Sequence, residues 1–229
     1  MLSGPHIMLS VLTQTTIATC VFGHASSFIA LFFLSSTYRR LRLVDKYDWS
    51  NLVSSSIFQL WIIGSMLQTL MNTASHDVIA SRITEHYHML QGFFIYDVVY
   101  LATHGTKYTT FILHHMGCLY FIVWYLTHGY TSHWFNLLFP VLGEIANPFL
   151  SMRRILRETH GKSSILYRIN RFIVLALYFE CRILGFPIAL IMHYPEIQGQ
   201  PWNMWLPMYV VTGVLYTVSL GWFWRLLKS

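Results

Sequence analysis

Residues 108–126 read YTTFILHHMGCLYFIVWYL, an apolar run that is interrupted by two adjacent histidines. A transmembrane α-helix needs about 20 predominantly apolar residues, and this run supplies nearly that length. His114 and His115 add nothing to the free energy of insertion, because ionisable groups at bilayer depth are costly and usually face a bundle interior or a wet cavity. The run therefore predicts a membrane helix that carries a polar site on its inward face.

The composition of the whole chain indicates a polytopic membrane protein. Of its 229 residues, 55% are hydrophobic and only 10% are charged, whereas a soluble domain carries about 25% charged residues. Cys20, Cys118 and Cys181 lie in apolar runs without paired spacing, which is typical of small core residues rather than a disulfide frame. The net charge of +6 does not indicate a nucleic-acid partner, because the basic residues cluster beside apolar segments. The predicted fold class is all-α, a polytopic bundle of about seven transmembrane helices that encloses a polar cavity.

The pattern of basic residues predicts the orientation of the bundle. The predicted spans lie near 9–35, 52–74, 90–104, 109–129, 135–152, 171–194 and 204–226. The first is interpreted as a retained helix, because it lacks a preceding basic region and a small-residue cleavage site. With seven spans, thirteen of the fifteen Lys and Arg residues fall on one side, while Arg82 falls on the other and Arg182 lies within the sixth span. The positive-inside rule then predicts a lumenal or outer N-terminus and a cytosolic C-terminus.

Ionisable residues fall at a similar predicted depth in four of the spans. Each lies eight to ten residues from a basic residue that marks the cytosolic edge, a distance of roughly 12–15 Å along a helix. They are Asp97, His115, Glu144 and Glu180, with His114 in the same layer and Arg182 one step deeper. This layer predicts a shared polar centre, although buried polar groups that only bond one another and fix helix packing are the structural alternative.

Helical periodicity turns some of these residues toward the bundle. Glu144 and Asn147 share a face in the fifth span, and Asp97 and Tyr100 share a face in the third. Prolines in the fifth and sixth spans free backbone carbonyls, which membrane helices tolerate where they line a cavity. Both features favour a functional cavity over scattered polar side chains.

Three motifs in a fixed order resemble the TLC-domain family, which includes the ceramide synthases and the TRAM translocation proteins. They are GFFIYD at 92–97, the histidine pair, and GEIANPFL at 143–150 followed by Arg153. The resemblance runs roughly from Trp49 to Trp224, and the last motif is similar to the small TLC domain-containing proteins of eukaryotes. The chain is accordingly divided into an N-terminal transmembrane helix with a basic cytosolic loop (1–48) and a TLC-like six-helix bundle (49–229).

The resemblance implies a lipid-accessible cavity in the endoplasmic reticulum or another membrane of the secretory pathway, with the plasma membrane as an alternative. In the ceramide synthases, the histidine pair and nearby acidic residues transfer a fatty acyl group from acyl-coenzyme A to a sphingoid amine. Those synthases carry a His-Asp pair and further acidic residues where this chain has Glu144 to Pro148. Only the histidine pair carries over from that site, and it implies acyl transfer to a lipid amine or hydroxyl, with acyl-coenzyme A as co-substrate and no permanently bound cofactor.

The histidine pair is the predicted centre of this chemistry. Adjacent helical residues point about 100° apart, so His114 and His115 cannot reach one atom by the same route. Either one is expected to act as the base, while the other orients substrate or bonds to Asp97 or Glu144; an acyl-imidazole intermediate is a further route. Predicted substrate contacts are Tyr100, Asn147, Glu180 and Arg182. Arg153 and Arg154 either contact anionic lipid or bind the phosphates of coenzyme A.

Two other functions stay open at this point. A non-catalytic protein could bind or sense a lipid in the same cavity and thereby control membrane composition. A metal-dependent lipid hydrolase would need three or four ligands, but adjacent helical histidines do not present the i, i+4 spacing that helical metal sites use, so no metal site is predicted. A membrane lipid is the expected partner in each case, and a homodimer is a further alternative.

Overall fold

A computed structural model gives the fold, and it describes residues 10–71, 76–104, 108–128 and 133–228. The described residues form helices joined by short connections, with no β-strand among them. The elements are α1 (Val11–Leu34), α2 (Ser36–Arg40), α3 (Leu43–Leu70), α4 (His76–Thr103), α5 (Thr109–His128), α6 (His133–Glu144), α7 (Asn147–His160), α8 (Ile165–Leu177), a π-helix (Tyr178–Gly185), α9 (Phe186–Ile197) and α10 (Trp202–Lys228). The predicted all-α class is confirmed.

Five helical stretches in the described residues are long and apolar enough to cross a membrane. They are Val11–Leu34, Asp45–Leu70, Thr109–His128, Ile165–Ile197 and Trp205–Lys228. The predicted third span lies on α4, whose first turns carry Asp77, Arg82 and Glu85. The predicted fifth span is divided between α6 and α7. Neither α4 nor the pair of α6 and α7 contains an apolar stretch long enough to be counted with these five. The five stretches make the chain a multi-pass membrane protein, and the seven crossings stay a prediction.

Two helices begin well before their predicted starts. α3 begins at Leu43 rather than near 52, and the predicted boundary after residue 48 therefore falls inside this helix. Residues 76–88, which lie between the second and third predicted spans, form the first half of α4. Within it, His86 is buried, and its Nε2 lies 2.8 Å from Oγ of Ser65 on α3. Charged residues lower the hydropathy of that half-helix, which is why a hydropathy pattern starts the span too late.

Serine side chains fix the starts of several helices. Oγ of Ser10 accepts a hydrogen bond from the backbone N–H of Thr13 at the start of α1. Oγ of Ser164 accepts from the N–H of Tyr167 in the same way at the start of α8. Such caps satisfy backbone donors that have no partner within the helix, and each contributes about 1 kcal/mol.

Tyrosine hydroxyls satisfy two backbone carbonyls that prolines leave open. Proline has no N–H, so the carbonyl four residues before it loses its helical partner. Pro140 frees the carbonyl of Asn136, which accepts a 3.1 Å hydrogen bond from the hydroxyl of Tyr87 on α4. Pro187 frees the carbonyl of Ile183, which accepts a 3.3 Å bond from the hydroxyl of Tyr216 on α10. The irregular helices are thereby tied to their neighbours.

The first helix packs closely against the rest of the bundle at one glycine. α1 contacts both α3 and α4, and Gly92 of α4 lies at its contact with α1. A Cβ atom at Gly92 would lie 2.6 Å from the carbonyl oxygen of Thr13 and 2.8 Å from Cβ of Thr16. Small residues at such positions let the backbones of membrane helices approach closely.

Replacing Gly92 by alanine is expected to destabilise the protein. The added methyl group meets backbone rather than a movable side chain, so α1 must shift away from α4, and overpacking of this kind costs about 1–3 kcal/mol. Thermal unfolding of the detergent-solubilised variant measures the effect. Gly213→Ala is the matched control, because a Cβ atom there meets nothing within 4 Å. Equal midpoints for the two variants would contradict this packing of α1.

Candidate functional site

His115 and Asp97 form an intramembrane pair between α5 and α4. Nδ1 of His115 lies 2.9 Å from Oδ2 of Asp97, and both residues are buried. The other carboxylate oxygen, Oδ1, accepts a 3.2 Å hydrogen bond from the side-chain amide of Asn51 on α3. Three helices therefore hold this carboxylate in place beside one nitrogen of the imidazole ring.

The same network continues to the first helix. Oδ1 of Asn51 accepts a 2.9 Å hydrogen bond from the hydroxyl of Tyr96. That hydroxyl also lies 2.7 Å from Nδ1 of His24 on α1. We call the five residues His24, Asn51, Tyr96, Asp97 and His115 the Asp97 cluster.

Glu144 lies in a second cluster, at the end of α6. Its Oε2 accepts hydrogen bonds from the side-chain amides of Gln59, at 2.9 Å, and Asn147, at 2.7 Å. Helix α6 ends at Glu144 and α7 begins at Asn147, with Pro148 next. Pro148 has no N–H to bond the carbonyl of Glu144, four residues before it, and this missing helical bond accounts for the break here.

Arg182 reaches this break from the π-helix. Its side chain is only 1% exposed, and one terminal nitrogen donates to the carbonyl of Gly143 and, at 3.0 Å, to Oδ1 of Asn147. Asn147 thus links the guanidinium of Arg182 to the carboxylate of Glu144. Short π-helical stretches occur frequently at functional sites. We call Gln59, Glu144, Asn147 and Arg182 the Glu144 cluster.

His114 faces a small cavity beside the Glu144 cluster. The cavity has a volume of about 40 Å³, and Glu144, Cys118, Phe94 and Phe186 also contribute to its lining. Nε2 of His114 lies 3.8 Å from Sγ of Cys118, one turn further along α5. Nδ1 of His114 is buried without a hydrogen-bond partner among the described residues. A cavity of this size accommodates a few water molecules rather than a lipid.

The predicted single polar layer is thus divided into two clusters. Asn51 and Gln59, which bond to the two carboxylates, are eight residues apart on α3, or about 12 Å. Lys107, one of the predicted edge markers, lies outside the described residues. Glu180 is exposed on the surface of the π-helix, so the prediction that it joins the polar centre is wrong. The wider helical turn changes which residue faces inward, and Arg182 takes that position.

Tyr100 and Arg154, predicted to contact substrate and coenzyme A, meet instead at Asp48. Oδ1 of Asp48 accepts a 3.2 Å hydrogen bond from the hydroxyl of Tyr100, and Oδ2 lies 3.1 Å from a guanidinium nitrogen of Arg154. Burial opposes the charge of Arg154, but the Asp48 carboxylate outweighs it and raises the pKa of the guanidinium above its usual value. The guanidinium of Arg153 lies over the ring of Tyr167, at 5.9 Å. The predicted roles of Tyr100, Arg153 and Arg154 in binding stay predictions.

Three partners of the site on α3 were not predicted as site residues. Asp48, Asn51 and Gln59 are buried on one face of that helix. Their spacing, with Ser55 between the last two, is i, i+3, i+7 and i+11, which is a regular inward stripe. The stripe is visible in the sequence, but a predicted span that begins at 52 leaves its first two residues in a loop.

A metal-dependent hydrolase would need a group of metal-ligating side chains. Within the described ranges, no three His, Cys, Asp or Glu side chains come together in a group that could hold a metal ion. A catalytic zinc site uses three protein ligands and one open position. Nδ1 of His115 instead lies 2.9 Å from a carboxylate oxygen of Asp97.

Comparison with known proteins agrees with the pattern of motifs. A family model described as the TLC domain matches residues 14–228. The chain belongs to the TLC-domain family. The matched region covers nearly the whole chain and includes α1, so it begins before Trp49, where the motif resemblance begins.

Two curated relatives carry the same domain. TLC domain-containing protein 4 A of Dictyostelium discoideum is 24% identical over 175 residues, which are 68% of this chain and 63% of that protein. Human TLC domain-containing protein 1 is 28% identical over 109 residues, or 45% of this chain and 41% of that protein. The chain thus matches less than two thirds of the length of either relative. No solved structure matches this TLC-domain protein.

Proposed function

We propose that this TLC-domain protein transfers a fatty acyl group from acyl-coenzyme A to the amine or hydroxyl of a membrane lipid. The observation that carries the proposal is the 2.9 Å contact between Nδ1 of His115 and Oδ2 of Asp97. A carboxylate at one imidazole nitrogen orients the ring and stabilises its cation, which leaves the other nitrogen to act as a base. The family's membrane character and the helices of this chain supply the hydrophobic setting that a lipid acceptor needs.

The proposed reaction is a single acyl transfer. Nε2 of His115 accepts the proton of the lipid amine or hydroxyl as its nitrogen or oxygen attacks the thioester carbonyl. The new C–N or C–O bond forms, the C–S bond breaks, and coenzyme A leaves as a thiol after taking the proton from His115.

His114 and Glu144 have a separate role in this proposal. Both line the 40 Å³ cavity, which is too small for a thioester. Substrate entry therefore requires the helices that line this cavity, among them α5, α6 and α9, to separate. His114 then orients the substrate, while His115 carries the proton.

Cells that lack the protein provide the first test. Re-expression of the wild type should restore the acyl composition of membrane lipids, whereas His115→Ala should not, because it removes the base. Protein abundance and the thermal unfolding midpoint are measured beside the lipids. His128→Ala is the matched control, since His128 is exposed at the far end of the same helix.

Two outcomes of that experiment would contradict the proposal. Normal lipids with His115→Ala at normal abundance would exclude a catalytic role for the ring. A loss of abundance with His115→Ala alone would favour a structural pair, because Asp97 would then be left buried without its imidazole partner, at a cost of about 1–3 kcal/mol or more.

Non-catalytic lipid binding is the second candidate function, because it does not require a thioester to enter the small cavity beside His114. Without an opening of the bundle, no thioester reaches the histidine pair. A protein of this kind would retain lipid in stoichiometric amounts without releasing coenzyme A from acyl-coenzyme A. The same His115→Ala variant would then leave lipid retention unchanged.

A further inference from the structure

A much larger cavity lies apart from the histidine pair, between α1, α3 and α4. Its volume is about 510 Å³, within the range of about 300–1,000 Å³ that is typical of small-molecule sites. Small residues on the facing helices leave the space open, among them Gly23, Ser27 and Ser54. Ile57 and Trp61, both more than half exposed, line it on α3. We call this space the α1–α3 groove.

Four hydroxyl groups of the α1–α3 groove are bonded within their own helices. Thr15 donates to the carbonyl of Val11, Thr16 to that of Leu12, and Thr19 to that of Thr15. Ser54 likewise donates to the carbonyl of Asn51. No Asp, Glu, Lys or Arg side chain lines the groove in the described part of the chain. Its surface therefore suits a hydrocarbon chain and not a charged or strongly polar ligand.

The groove is open to the membrane. α1 and the α3 segment Asp45–Leu70 are both long and apolar enough to span a bilayer, so the medium around the groove rim is lipid. An empty space of this size would forfeit the dispersion contacts of its lining, and lipid chains are the molecules at hand to fill it. From this geometry we propose that the α1–α3 groove holds one acyl chain of a bilayer lipid.

Tyr96 joins the groove to the Asp97 cluster. Its side chain lines the groove, while its hydroxyl bonds to Asn51, which in turn bonds to Asp97. A chain bound in the groove therefore lies three side chains away from His115. The binding of the chain goes beyond the proposed acyl transfer and does not depend on it.

Photolabelling in vesicles tests the proposal on the full-length protein. The probe is a phosphatidylcholine with a diazirine in one acyl chain, present as a minor component of phosphatidylcholine vesicles. After irradiation, labelled peptides are mapped by mass spectrometry. We expect labels to concentrate on groove residues such as Thr19, Ser27 and Trp61, above those on exposed apolar residues such as Phe172 and Val210 elsewhere. Labels spread evenly over all lipid-facing helices would overturn the proposal.

A side chain that fills the groove should prevent labelling of the groove residues, because it displaces the acyl chain. A Cβ atom at Gly23 would lie 3.7 Å from Cβ of Ser54, an ordinary contact, so Gly23→Leu places its side chain in the groove without a backbone clash. Gly213→Leu adds the same group on α10, where nothing lies within 4 Å of a Cβ atom. Loss of groove labels in Gly23→Leu alone supports the proposal, and their persistence overturns it. Ser27→Leu provides the same comparison if Gly23→Leu does not fold. The readout is independent of coenzyme A release, so failure here is distinguishable from failure of the proposed acyl transfer.

Discussion

Replacing Arg182 by methionine is expected to cause the largest loss of stability of any single change at the candidate site. Methionine keeps most of the apolar volume but removes the guanidinium. The carbonyl of Gly143 and Oδ1 of Asn147 then lose their donor, and the buried carboxylate of Glu144 loses the cation to which Asn147 links it. Removing one partner from a buried charged network costs about 3–5 kcal/mol, a large share of the about 5–15 kcal/mol that stabilises a typical protein.

The thermal unfolding midpoint and the monodisperse fraction after size-exclusion chromatography measure this effect. Arg168→Met is the matched control, because Arg168 is exposed on α8, three turns before the π-helix. We expect the control to behave like the wild type and Arg182→Met to yield little folded protein. Two variants of equal stability would show that Arg182 does not hold the broken ends of α6 and α7.

Replacing Asp97 by asparagine is expected to cause the largest loss of activity of any single change that preserves the shape of the candidate site. Asparagine has the size of aspartate and fits between Asn51 and His115, but it cannot stabilise a protonated imidazole by charge. General acid–base contributions of this kind are about 10²–10⁴-fold. We therefore expect acyl transfer to fall by about that factor, with a much smaller change in thermal stability.

The initial rate of acylated-lipid formation by purified protein measures the loss. Asp77→Asn is the matched control, since Asp77 is exposed in the first turn of the same helix, far along the chain from the Asp97 cluster. An Asp97→Asn variant with the wild-type rate would show that the carboxylate has no part in the chemistry.

Much of the fold could be predicted from hydropathy and periodicity. α1, α5 and α10 have nearly the predicted bounds, because each is a continuous apolar stretch of 20 or more residues. The first half of α4 could not be predicted in this way, because tertiary contacts such as that of His86 with Ser65 stabilise a segment that is too polar by composition. Pro148 indicates an irregularity near Asn147, but a proline alone does not determine whether the helix bends or ends there.

The candidate site was predictable where regular helices place residues on inward faces at one depth, and not where helix geometry departs from the ideal. The pair of Asp97 and His115 follows from two inward faces at one depth. The positions of Glu180 and Arg182 do not, because they depend on a π-helix that no local propensity encodes. The role of Asn51 depends on where α3 begins, and the hydropathy pattern predicts that start nine residues too late.

Release of free coenzyme A by the purified protein tests the central claim most directly. The protein is reconstituted in vesicles with a fatty acyl-coenzyme A and a lipid that carries a free amine or hydroxyl, and both free thiol and acylated lipid are quantified. We predict equal amounts of the two products from the wild type and from His128→Ala, and neither product from His115→Ala. A wild-type protein that releases no more coenzyme A than His115→Ala would contradict acyl transfer at this site.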